Sequence, residues 1–75
     1  SVVLKEFVLE VLQASNLVVV KTHPGNAHSI GVVLDAEHWP EVVGTVAGDD
    51  TLFIATPGER QAARIRKQIL SLLAS

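Results

Sequence analysis

Apolar and polar positions alternate along this chain in two rhythms. Leu17-Val18-Val19-Val20 is a short β-branched run and reads as a buried strand. Thr51 to Thr56 and Val42 to Ala47 read as two more strands around a Gly-Asp-Asp tip. Between them Ala27, Ile30, Val33 and Leu34 recur at helical spacing, as do Ala62, Ile65, Ile69, Leu72 and Leu73 near the end. Ser1 to Gln13 carries both signals. Val3, Leu4, Phe7, Val8, Val11 and Leu12 fit a helix, while its four valines and a Phe favour a strand. Ala14-Ser15-Asn16 reads as a turn, and the strand that follows needs an antiparallel neighbour, so we read the first segment as a strand.

Two stretches mark helix starts. In Lys21-Thr22-His23-Pro24-Gly25-Asn26, Pro24 suits the first helical position and Thr22 or His23 the cap. In Thr56-Pro57-Gly58-Glu59, Thr56 suits the N-cap and Glu59 the reciprocal position of a capping box. Ala36 to Glu41 reads as a loop carrying His38, Trp39 and Pro40. Each half therefore reads strand, strand, helix. The expected fold class is α+β, with ββαββα order: a four-stranded antiparallel sheet, two helices packed on one face and the other face free for apolar contact.

Composition changes this picture in one respect. A 75-residue chain has a marginal core, yet 48% of its residues are hydrophobic, which predicts an interface and self-association. The absence of cysteine removes disulfides and thiolate sites and fits a cytoplasmic setting. The net charge of −2, with Lys and Arg confined to Lys5, Lys21 and the 60–67 segment, gives no stripe for phosphates. No apolar run reaches the roughly 20 residues of a membrane span. The chain opens in apolar sequence without Met, as a piece of a longer protein would.

Candidate chemistry is thin apart from the acids. No Ser sits in a nucleophile turn, no two His stand at i, i+4, and neither a catalytic nor a metal site is expected. Asp49 and Asp50 sit at the hairpin tip and Asp35 at a helix end, with no basic residue within a helical turn of any of them. Gly48, free to take positive φ, suits the tight turn. Read blandly, Gly-Asp-Asp is only that turn; alternatively, like charges held together await a cation, for which a guanidinium offers a planar fork. His28 and Asp35, seven apart, lie within about 20° of each other and ~10.5 Å apart along the helix. Gly31 between them leaves a notch. Amides from Gly25 to His28 at the helix start would suit an anion.

The octet Gly44-Thr45-Val46-Ala47-Gly48-Asp49-Asp50-Thr51, with Val18 to His28 and Asp35, resembles the C-terminal domain of the bacterial arginine repressor. The resemblance spans essentially the whole chain. It implies one domain over 1–75 that senses L-arginine and oligomerises as trimers stacked into a hexamer. It implies arginine as corepressor at the trimer–trimer interface, with no other cofactor. Operator DNA would be bound only through an N-terminal winged helix-turn-helix domain absent from this chain. Asp49 and Asp50 would face the guanidinium, and Asp35 the α-amino group. Thr45 and Ala47 would line the pocket by their backbone, beside His28 and Ala27. His28 stands where the family often has Gln, and a His keeps one donor and one acceptor there. The competing expectations are a pterin-dehydratase-like enzyme using His23 and His28, and an assembly module with an empty pocket.

Overall fold

The computed structural model describes residues 2–75. The ambiguous first segment resolves into both of its readings. Val2–Phe7 forms a short helix, α1, and Val8–Ala14 a strand, β1. The expectation of a strand from the first residues is corrected for α1. Helical spacing there lets Leu4 reach the core, where it is fully buried. From Val8 the chain pairs with its neighbour instead. A register shift between Val8 and Glu10 leaves Leu9 exposed, as an extra residue in a bulge would be.

β2 (Leu17–Thr22) returns antiparallel to β1 through the Ser15-Asn16 turn, with Ser15 at φ 54. After α2 (Ala27–Asp35), β3 (Gly44–Ala47) and β4 (Thr51–Ala55) form the second hairpin, and α3 (Glu59–Ala74) closes the chain. The sheet is antiparallel in the order β1-β2-β4-β3. Beyond α1, this is the expected ββαββα arrangement.

Alternation decides which face is covered. Val18 and Val20 on β2, with Leu52 and Ile54 on β4, are buried with Ile30 and Leu34 of α2 and Ala62, Ile65 and Ile69 of α3. Their neighbours in sequence point the other way. Leu12, Val19, Phe53 and Val46 pair in register across all four strands, an apolar row on the face opposite the helices. Phe53 is 47% and Val46 72% exposed. That face is bare in a single chain.

Both predicted helix starts need correction. Pro24 is not the first helical residue. Gly25 takes a left-handed φ of 81, and the helix begins two residues later behind Asn26, which makes no side-chain cap. Thr56 does not cap α3 either. Its hydroxyl lies 2.8 Å from the Asn16 carbonyl and 2.9 Å from that of Gly58, and Gly58 stands at the N-cap. The Asn16 side chain and backbone bond Thr56 in return. Tertiary anchoring to the first hairpin has taken the group that the capping box would have used. The strand predicted from Val42 begins only at Gly44.

Candidate functional site

The Gly-Asp-Asp tip is held by backbone, not by a special glycine conformation. Gly48 N–H donates to the Thr51 carbonyl at 2.8 Å. Among the described glycines only Gly25 has positive φ, so the freedom expected of Gly48 is not used. The tip then docks on the turn before α2. Thr22 N–H donates to the Asp50 carbonyl, and the amides of Gly25 and Ala27 both donate to that of Asp49, at 3.1 and 3.2 Å. These two amides are therefore not free for an anion, which corrects that expectation. The left-handed Gly25 is what turns its segment toward the tip.

On α2, the notch is present. His28, Gly31, Val32 and Asp35 line a cavity of 180 Å³ with Thr45, Ala47 and Leu52. Gly31 is its floor. A Cβ there would stand 3.3 Å from Leu52 Cδ1, tighter than an ordinary packing contact. Asp35 is steadied by Thr45, whose hydroxyl lies 3.1 and 3.3 Å from the two carboxylate oxygens. Asp35 also borders a second, larger cavity of 470 Å³, with Trp39, Pro40 and Val43 on its wall.

Of the residues singled out from sequence, His28, Asp35, Thr45 and Ala47 meet around one cavity. Asp49 and Asp50 do not line it; both are exposed at the tip. Ala27 is fully buried, so its methyl belongs to the core, and its amide is given to Asp49. Among the described residues no side chain hydrogen-bonds or pairs with the Asp49 carboxylate, and no group of three His, Asp or Glu is placed to hold a metal.

Asp50 is different. Thr51 Oγ1 donates to Asp50 Oδ1 at 3.0 Å, and Lys21 Nζ donates to the same hydroxyl at 2.6 Å. Although no basic residue lies within a helical turn of these acids, the fold links Asp50 to Lys21 through the Thr51 hydroxyl. Local sequence hides this contact because Lys21 and Thr51 are thirty residues apart. Only the pairing of β2 with β4 puts them opposite one another.

Residues 4–71 match the family model described as "Arginine repressor, C-terminal domain". The chain belongs to that family. It is 53% identical over 68 residues to the arginine repressor of Solibacter usitatus, covering 91% of this chain and 47% of the relative. It is 51% identical over 71 residues to that of Koribacter versatilis, covering 95% and 48%. With the arginine repressor of Geobacillus stearothermophilus it shares 50% identity over 58 residues, covering 77% and 39%. The chain thus spans about half the length of the first two of these curated relatives. Those relatives carry the name of a repressor, not of an enzyme, which removes the dehydratase reading.

Proposed function

We propose that this chain is the L-arginine-sensing and self-associating part of a cytoplasmic transcriptional repressor, acting as a trimer that pairs into a hexamer. The observation that carries the reading is the unpaired Asp49 carboxylate, exposed on a rigid tip, in a chain of the arginine repressor family. An aspartate held there by backbone bonds loses little freedom when a guanidinium pairs with it, so more of the pairing energy appears as affinity.

In this reading the α2 cavity takes the amino-acid end of the ligand. Asp35 accepts from the α-amino group, with His28, Thr45 and Ala47 around it, while Asp50 stands beside Asp49 at the guanidinium end. Ala27 contributes by fixing the tip through its amide. Copies of the chain cover the Leu12-Val19-Phe53-Val46 row to form the trimer. Covering what remains exposed of these side chains stabilises association, by less per residue than the roughly 1.5–3 kcal/mol of a fully exposed one. Trimers then meet tip to tip. Asp49 carboxylates brought together repel until arginine lies between them, so ligand binding and hexamer formation are linked. Operator DNA is read by a separate N-terminal winged helix-turn-helix domain.

Sedimentation or native mass spectrometry with and without L-arginine tests this. Arginine is expected to shift the chain from trimer to hexamer, and Asp49→Ala to abolish the shift while leaving the trimer. An intact chain that neither binds arginine nor changes its assembly refutes the proposal. This chain alone is expected not to retard operator DNA in a gel.

A further inference from the structure

Two adjacent aspartates at a hairpin tip have the same chemistry in sequence, yet the fold treats them differently. Lys21 projects from β2 directly opposite Thr51 of β4. Its ammonium has only protons to give, so at 2.6 Å the Thr51 hydroxyl must accept from it. The one hydroxyl proton is then free for Asp50 Oδ1, 3.0 Å away. The direction of both bonds is fixed by the donor inventory alone. Each bond has an ion at one end, which makes it stronger than a neutral hydrogen bond.

We infer that Lys21 and Thr51 are positioning residues that hold Asp50 by one oxygen and make Asp49 the acid open on both. The inference rests on the arginine-binding reading proposed above. A forked guanidinium can engage Asp49 through two parallel bonds, whereas Asp50 offers it only the oxygen that Thr51 leaves unbonded. The pair therefore takes one guanidinium in one orientation, not two cations. Lys21 also stands on the bare face of the sheet, two residues from Val19 in the exposed apolar row. A neighbouring copy covering that row would shield the Lys21–Thr51 bond from water. Assembly and the shape of the ligand site share this lysine.

Calorimetric titration with L-arginine tests the role. Thr51→Val is expected to bind about tenfold more weakly, and Thr51→Ser to bind as the parent does. Lys21→Met is expected to fall in the same range. Because the two residues act as one relay, the double variant should be no weaker than the weaker single one. Thr51→Val binding within twofold of the parent, or losses that simply add, would overturn the inference. The relay can also be read without ligand. The Lys21 ammonium should give a slowly exchanging 15N signal in the arginine-free protein, lost in Thr51→Val. Exchange as fast as that of the exposed Lys5 and Lys67 would refute the relay even where arginine binds. A protected ammonium in a protein that binds no arginine would instead sink the ligand reading, and the positioning role with it.

Discussion

The two halves of the chain run strand, Thr, Pro-Gly, helix, and they use that unit in opposite ways. In the second half Thr56 is buried and its hydroxyl reaches back to Asn16. Gly58 is extended at φ −170, and α3 starts at once. The junction is a structural weld between the two hairpins. In the first half the unit is two residues longer, through His23 and Asn26. The Thr22 hydroxyl stays local and donates to the carbonyl of its neighbour His23, and Gly25 turns left-handed. The amides of Gly25 and Ala27 close on the acidic tip. The same local recipe makes a brace in one half and a mount for the candidate site in the other. What separates them is where the freed backbone groups find partners.

If that contrast is right, equivalent substitutions should give unequal results. The largest difference is expected at the glycines. Gly25→Val places a β-branched residue at φ 81, where nothing crowds the new side chain but the backbone itself is strained. It should cost about 2 kcal/mol, several degrees or more of thermal midpoint, and weaken arginine binding along with it. Gly58→Ala has no such strain and meets only the end of the Gln61 side chain at 3.1 Å. Its midpoint should move by less than about 0.5 kcal/mol equivalent in differential scanning calorimetry. Equal losses at both glycines would contradict the contrast.

The threonines come next. Thr56→Val removes a buried hydroxyl that ties two carbonyls and should destabilise by about 1 kcal/mol without changing the arginine response. Thr22→Val loses a single local bond and should be milder in chemical denaturation. Smallest in stability, yet sharp in function, is Gly31→Ala. The helix gains about 1 kcal/mol in propensity, which crowding against the fully buried Leu52 offsets. The net change should be near zero in the melt, while the filled notch lowers the arginine-induced stabilisation. A variant that binds arginine as the parent does would remove the α2 cavity from the site.

The sheet and both long helices were legible because their apolar spacing is strong and because Thr, Pro and Gly punctuate them. Boundaries were not. Thr56 carries a capping sequence, but a carbonyl forty residues away competes for its hydroxyl. Val42 and Val43 look like strand, yet β3 starts only at Gly44. α1 was half visible: the helical spacing was there, and the valines argued against it until burial of Leu4 settled the first turns. At the site, the notch between His28 and Asp35 followed from residue spacing on one helix. The docking of the tip on Gly25 and Ala27, and the Lys21–Thr51 contact, did not. Both depend on which strands are neighbours, and that information is absent from any local window of sequence.

One feature at the opposite edge bears on how copies of the chain can join. β1 is an outer strand, and the Arg66 guanidinium of α3 donates through Nε to its Val11 carbonyl at 2.8 Å. An incoming strand would find that acceptor already engaged and a cationic side chain lying across its path. Growth by edge-to-edge strand addition has no natural stopping point and leads to open ribbons. Association through the flat of the sheet saturates once the patch is covered. By engaging that acceptor, Arg66 hinders strand addition at the β1 edge and leaves the flat of the sheet as the open apolar surface.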